Sequence, residues 1–193
     1  MARAFAEIAF TPSVRAAQAR HGAAAAGARV LADGIDRRDR LTENEVAFIS
    51  ARDGFYLATV GEDGWPYVQF RGGPPGFVRV IDPTTLAWAD FRGNRQYLTV
   101  GNLAANDRVS LFLMDYAHRR RLKLWGRARI VDAADDPDLI QMLFPAGYAA
   151  VPERAVVVGV AAFDWNCPQH IPQRLTPAEW RAAGDPPHPD KQD

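Results

Sequence analysis

The sequence predicts a mainly β fold, an antiparallel barrel decorated with flanking helices. Short runs of β-branched and aromatic residues recur at close spacing from residue 55 onward. Turns rich in glycine and proline separate these runs. Single helical patterns interrupt the predicted strands at a few points, whereas βαβ units would alternate strands and helices regularly. The alternative is a doubly wound sheet.

The order of the elements follows from these patterns. We expect a barrel of about six strands. The runs from which these strands come are 55–60, 65–70, 77–81, 85–91, 108–114, 121–131 and 155–163. The first two flank Gly61-Glu62-Asp63-Gly64, which is typical of a hairpin loop, whereas the segment 71–76 is expected to be irregular. The last run is almost wholly apolar, as in a buried strand.

Helix-start signals complete the pattern. Thr11-Pro12 predicts an N-cap followed by proline at the first helical position. Thr42 to Glu45 and Thr176 to Glu179 are capping boxes, and Asp136-Pro137 begins another helix. A short helix is also expected between Asn94 and Asn106. We therefore divide the chain into an N-terminal helical extension (1–52), a barrel domain (53–175) and a short C-terminal helix with a disordered tail (176–193).

Composition excludes several classes of protein. The 193 residues carry 23 basic and 23 acidic side chains, and this balance disfavours nucleic acid as the partner. A single cysteine excludes a disulfide framework and fits a reducing compartment. No apolar stretch approaches the length of a membrane span, and the N-terminus lacks a secretion signal. We expect a cytoplasmic protein that does not bind a membrane.

The common catalytic motifs are absent from the sequence. It contains no nucleophile elbow, phosphate-binding P-loop, zinc-protease motif or dinucleotide fingerprint. The four histidines are too scattered to predict a zinc centre, so no metal is expected. Cys167 and His170 are three residues apart, but the intervening proline and the lack of an orienting partner argue against a nucleophile and base.

Four polar clusters carry the functional information. Gln69 to Gly73 ends a strand in glycines, which allow a flat or anionic ligand to approach the backbone or simply form a barrel corner. Asp90 to Tyr97 leads through Gly93 into a helix start with two arginines, which favours a phosphate site over a plain helix cap. Arg119 to Gly126 places positive charges on one strand face, either near a ligand or in solvent. The segment 163–174 resembles a loop that closes over a ligand.

In this order the clusters resemble the FMN-binding split-barrel family related to pyridoxamine 5'-phosphate oxidase. The stretches that carry the resemblance are 53–60, 64–69, 71–82, Gly93-Asn94-Arg95-Gln96-Tyr97, 111–116 and Asp164-Trp165-Asn166-Cys167-Pro168-Gln169-His170-Ile171. The resemblance implies a six-stranded antiparallel Greek-key split barrel. It also implies a homodimer with FMN bound in clefts between the subunits.

The resemblance also implies roles for individual residues. Gln69, Phe70, Arg71 and Gly72 would lie along the isoalloxazine ring. Asp90, Asn94, Arg95 and Gln96 match the segment that holds the ribityl phosphate. Arg121, Trp165 and Arg174 match residues that approach the flavin from the other subunit. Positive charge from Arg71 or Arg121 near N1 and O2 is expected to raise the flavin potential.

The sequence departs from the family pattern in four places. The segments 72–76 and 97–106 are longer than in the vitamin-processing oxidase. The arginine-histidine motif that this oxidase uses on its substrate is missing, because Leu175-Thr176-Pro177 follows Arg174. We therefore do not expect oxidation of pyridoxamine phosphate. Phe70 also stands where relatives usually have histidine.

These observations predict an FMN-dependent oxidoreductase that acts on a small, unidentified substrate without a catalytic side chain from the protein. Three alternatives remain. The barrel could bind or sense flavin without turnover, or it could hold a deazaflavin or haem in place of FMN. In the third, the basic face 119–123 would contact nucleic acid.

Overall fold

The computed structural model describes residues 2–32, 36–165, 168–182 and 184. The helices are α1 (Ala4–Ala9), α2 (Pro12–Arg20), α3 (Ala24–Val30), α4 (Glu43–Ser50), α5 (Leu98–Ala105), α6 (Pro137–Leu143) and α7 (Pro177–Ala182). The strands are β1 (Gly54–Val60), β2 (Pro66–Gly72), β3 (Arg79–Asp82), β4 (Thr85–Phe91), β5 (Arg108–Asp115), β6 (Arg120–Asp132) and β7 (Pro152–Trp165). Cys167 and nearly all of the predicted disordered tail lie outside the described residues.

The strands form one antiparallel sheet in the order β2-β1-β5-β6-β7-β4-β3. The prediction of an antiparallel sheet with flanking helices is confirmed, and the doubly wound alternative is wrong because no pair in this sheet is parallel. The prediction of six strands is also wrong. Each of the seven runs forms its own strand, and the shortest of them, β3, is an end strand of the sheet. In the described chain β2 and β3 are not paired, so the sheet is unclosed.

The inner face of the sheet carries the main hydrophobic core. Leu57, Trp88, Leu111, Leu124 and Val158, from five different strands, are almost completely buried in it. Side chains alternate between the two faces of a strand, so residues an even number of positions from a core residue share its face. This alternation places Arg71 and Asp90, near the ends of β2 and β4, and Arg154, near the start of β7, on the inner side. The core therefore continues into a polar region at one end of the sheet.

The predicted capping residues at the starts of α2, α4 and α7 are confirmed. The Thr11 hydroxyl accepts from the backbone N–H of Val14 at 3.4 Å, and α2 begins at Pro12. Thr42 and Glu45 form the predicted capping box of α4. The Thr176 N–H donates to Glu179 at 2.7 Å at the start of α7. One local prediction is wrong, because Arg71 and Gly72 belong to β2, where they pair with β1.

The outer face of β1 and β2 is apolar and open to solvent. Val68 and Phe70 are 59% and 57% exposed, and Tyr56 packs edge-on against Phe70. Further along the same face, α1 covers the sheet by stacking Phe5 on Trp125 with ring centroids 4.5 Å apart. This leaves an apolar surface on β1 and β2 beside the N-terminal helix.

Candidate functional site

A cleft of about 430 Å³, its open mouth included, lies on the inner side of the sheet. It is bounded by β2, by the end of β4, by the start of β7 and by the loop that leads into α5. Its lining includes six of the residues that the sequence predicted to bind a cofactor, namely Gln69, Arg71, Asp90, Asn94, Arg95 and Gln96. The fold therefore brings together residues from two of the four polar clusters.

Asp90 is the buried centre of the cleft. Its side chain is only 6% exposed, and its carboxylate lies 3.3 Å from Nη1 of Arg71 and accepts from Nη1 of Arg154 at 3.1 Å. Asp90 and Arg154 are directly opposite each other on β4 and β7. Because the carboxylate pairs with both guanidinium groups, it neutralises buried positive charge and fixes the position of both arginines.

Glu153 holds a second set of contacts at the rim of the cleft. Its carboxylate accepts from Nε of Arg92 at 2.8 Å, from Nη2 of Arg154 at 3.0 Å and from the Tyr97 hydroxyl at 3.4 Å. The hydrogen bond from Arg92, with further help from Arg154, holds the pKa of Glu153 below its ordinary value. With Arg95, the site contains four arginines and two carboxylates, so it is positively charged overall.

The loop before α5 has an unusual backbone. Arg95 and Tyr97 adopt left-handed conformations, with φ of 60° and 53°. Such conformations are costly for side chains of this size and occur often at functional sites. The side chain of Asn94 accepts from the Gln96 N–H at 3.2 Å and closes the turn. The predicted helix begins only at Leu98, after these two residues.

Side chains near the end of β2 line two different cavities. Gln69 accepts from the buried Thr99 hydroxyl at 3.2 Å, which ties β2 to α5 in the cleft. Phe70 and Gly72 line a neighbouring cavity of about 360 Å³, and Arg71 borders both cavities. A Cβ on Gly72 would lie 2.9 Å from Cε1 of Phe70, so the missing side chain lets this ring pack over the strand.

Three predicted site residues lie away from the cleft. Arg121, on β6, has a buried Nε without a hydrogen-bond partner among the described residues. The indole of Trp165, at the end of β7, donates to Glu45 at 2.7 Å. The guanidinium of Arg174 is 5.0 Å from the centre of the Tyr116 ring. None of the three lines the cleft in this chain.

Sequence reasoning missed Glu153, Arg154 and Thr99. The predicted strand started at Ala155, so the two charged residues before it fell in a loop. The alternation of side chains along the strand could have found Arg154. If the strand begins at Pro152 instead of Ala155, this alternation places Arg154 on the core side. Thr99 lay inside a predicted helix, where its hydroxyl gave no indication of a partner.

Two further features concern metals and membranes. Within residues 2–32, 36–165, 168–182 and 184, no three His, Cys, Asp or Glu side chains are grouped to hold a metal ion. No helix in this part of the chain is long and apolar enough to cross a membrane.

Comparison with known proteins identifies relatives of this fold. The family model described as pyridoxamine 5'-phosphate oxidase matches residues 41–162, which is more than half of the chain. No curated protein sequence matches the chain.

Several solved structures share the fold at low sequence identity. HupZ of Group A Streptococcus aligns with a TM-score of 0.53 and 16% identity over 70% of this chain and 99% of its own. A putative pyridoxamine 5'-phosphate oxidase from Lactobacillus delbrueckii aligns with a TM-score of 0.50 and 22% identity over 65% and 94%. An FMN-binding protein from Syntrophomonas wolfei aligns with a TM-score of 0.50 and 11% identity over 63% and 83%. At these identities the comparisons concern the fold alone.

Proposed function

Because the chain belongs to the pyridoxamine 5'-phosphate oxidase family, we propose that it is an FMN-dependent oxidoreductase that binds the phosphate of FMN in the arginine-lined cleft. The observation that carries this proposal is the convergence of Arg71, Arg95 and Arg154 on one cleft. Planar guanidinium groups bind phosphate oxygens through paired, charge-assisted hydrogen bonds.

The donors at the cleft fit a phosphate. Nε of Arg71 is buried and has no hydrogen-bond partner among the described residues, although its Nη1 is paired with Asp90. A buried donor without a partner is costly, and an oxyanion supplies the missing acceptor. The side chains of Asn94 and Gln96 add amide groups at the mouth of the cleft.

The proposed site is completed by a second copy of the chain. The exposed apolar surface formed by Tyr56, Val68 and Phe70 supports a homodimer, since a patch of this kind marks interaction surfaces. Arg121, Trp165 and Arg174 do not reach the cleft of their own chain. In a dimer they would approach the ring from the partner subunit, as the family resemblance implies.

The division of roles between cofactor and protein follows from the residues at the site. FMN, when bound, supplies the redox chemistry, as cofactors generally do. The chain binds the phosphate through Arg71, Arg95 and Arg154, while Asp90 keeps two of these guanidinium groups in place. The substrate is a small molecule other than pyridoxamine phosphate, because the sequence lacks the substrate motif of that oxidase.

Titration with two flavins tests the phosphate site. FMN and riboflavin differ only in the phosphate, and Arg95 is an exposed side chain whose removal leaves the core intact. We expect Arg95→Gln to weaken FMN binding by about 10-fold, the loss of one charge-assisted hydrogen bond, and to change riboflavin binding by less than about 2-fold. The matched control is Arg129→Gln, another exposed arginine, on β6.

Turnover is tested separately from binding. A flavin-loaded enzyme should consume NADPH or NADH steadily with a quinone or a nitro compound as acceptor. A protein that binds FMN with the predicted phosphate dependence but catalyses no turnover with any donor would be a flavin-binding module. That result would contradict the oxidoreductase assignment and leave the phosphate site standing.

A further inference from the structure

A further pocket lies beside the hairpin that joins β5 and β6, at the end of β7 opposite to Arg154. Its volume is about 610 Å³ with its mouth, and it is lined by Asn44, His118, Arg119, Arg120, Trp165 and Pro168. It shares no lining residue with the arginine-lined cleft. No sequence pattern connects His118 with Trp165, which are 47 positions apart.

The pocket contains a histidine that a buried carboxylate holds in one orientation. Nδ1 of His118 lies 3.0 Å from both carboxylate oxygens of Asp115, and Oδ1 of Asp115 also accepts from the His118 backbone N–H at 3.0 Å. Nη2 of Arg52 lies 3.4 Å from Oδ2 of the same carboxylate. Burial acts to raise the pKa of Asp115, but the hydrogen bonds from His118 and the charge of Arg52 outweigh it, so the pKa is lowered.

This geometry fixes which ring nitrogen is free. An ionised carboxylate can only accept hydrogen bonds, so Nδ1 of His118 must donate to it. In the neutral imidazole Nε2 is then an acceptor. The His118 side chain is 72% exposed, so this acceptor is available to a ligand in the pocket.

Two arginines place positive charge beside the histidine. Nη2 of Arg120 donates to Oδ1 of Asn44 at 3.4 Å, and its guanidinium lies 4.6 Å from the Trp165 ring centre. Arg119 is exposed and has a left-handed backbone, with φ of 54°. The neighbouring acids are already engaged: Glu45 accepts from Trp165 and Glu179 from Thr176.

We propose that this pocket binds a small organic acid that also carries a hydroxyl group, such as an aromatic 2-hydroxy acid. The carboxylate pairs with Arg119 and Arg120, and the hydroxyl donates to Nε2 of His118. Trp165 and Pro168 provide an apolar wall for the rest of the molecule. Within one chain this pocket shares no lining residue with the cleft. Trp165 is the one side chain that also belongs to the contacts proposed above for the flavin of the partner subunit.

Mandelate and phenylacetate are suitable probes, because they differ only in the hydroxyl group. Calorimetric titration of the full chain should show that mandelate binds about 3- to 10-fold more tightly than phenylacetate, the gain from one hydrogen bond. His118→Ala should abolish this preference while retaining phenylacetate binding. Arg119→Gln should weaken the binding of both acids. Both substituted side chains are exposed, so the fold should persist, as far-UV circular dichroism would verify.

A variant in the other site locates the binding. Arg95→Gln removes an arginine from the cleft, and it should leave mandelate binding unchanged. Loss of mandelate binding in this variant would place the acid in the cleft and overturn the proposal. Failure of both probes to bind the wild-type chain, or a hydroxyl preference that survives His118→Ala, would overturn it equally. FMN binding is measured in a separate titration, so a failure of the acid to bind leaves the proposed phosphate site standing.

Discussion

The carboxylate of Asp90 on β4 lies 3.3 Å from the guanidinium of Arg71 on β2, although these strands are not neighbours in the sheet. The ion pair connects the end strand β2 to the opposite part of the unclosed sheet. It therefore positions an arginine of the cleft and holds together the two sides that form the cleft.

Replacement of Asp90 tests this structural role. We expect Asp90→Asn to lower the free energy of unfolding by about 3 kcal/mol, because it removes the counter-charge of Arg71 and leaves the buried Arg154 with Glu153 as its close carboxylate partner. Urea denaturation measures the change. Asp107→Asn is the control, since it breaks an exposed ion pair with Arg127 and should cost less than about 1 kcal/mol. Equal costs in the two variants would show that Asp90 is not a structural centre.

Two glycines should respond differently to an added methyl group. A Cβ on Gly126 would overlap the backbone oxygen of Gly159 and lie 2.6 Å from Cγ1 of Val158. We expect Gly126→Ala to destabilise the fold by about 2 kcal/mol, because the β6–β7 pair cannot separate without losing its hydrogen bonds.

Gly54→Ala is the matched comparison for Gly126→Ala. Its new Cβ would meet the far end of the Phe70 side chain, which is largely exposed and can turn away, and would lie 3.2 Å from the backbone oxygen of Arg71. Thermal unfolding of both variants gives the comparison. A larger cost at Gly54 than at Gly126 would contradict the packing described for the β6–β7 pair.

Much of the secondary structure is local in origin and could be predicted, whereas the site depends on long-range pairing. The Thr42–Glu45 capping box and the start of β2 follow from neighbouring residues. The pairing of Asp90 with Arg154 depends on the register of β4 against β7, which no local pattern encodes. The left-handed backbone at Arg95 and Tyr97 was also unpredictable, since neither residue favours it.

Glu45 should make stability depend on pH. Burial acts to raise the pKa of this carboxyl group, but hydrogen bonds from Thr42, Trp165 and Asn44 outweigh it and lower the pKa from 4.5. A lowered pKa in the folded state means that ionised Glu45 stabilises the fold above its unfolded pKa and loses this effect as the pH falls through its folded pKa. The stability advantage of the wild type over Glu45→Gln should therefore be largest near neutral pH.

Chemical denaturation of the wild type and Glu45→Gln at several pH values measures this dependence. The difference in unfolding free energy should shrink progressively below pH 4.5. Glu62→Gln, in the exposed β1–β2 hairpin loop, controls for the removal of one negative charge. A difference between wild type and Glu45→Gln that stays constant with pH would rule out the proposed effect of its ionisation.

The outer face of β2 tests the proposed homodimer. Val68 is 59% exposed, and Val68→Asp should place two like charges in an apolar interface and produce a monomer. Light scattering after gel filtration measures the mass. Ile81→Asp, at an exposed position on β3, should leave the dimer intact. Dimers of unchanged stability in Val68→Asp would exclude this surface as the interface.

The central claim is that the chain binds FMN, and the most direct test is the absorption spectrum of the purified protein followed by chromatography of the chromophore released on heating. We expect the two bands of an oxidised flavin in the near-ultraviolet and blue, with FMN as the released compound. A colourless protein that also fails to take up added FMN would contradict the account, and so would the release of a deazaflavin or haem.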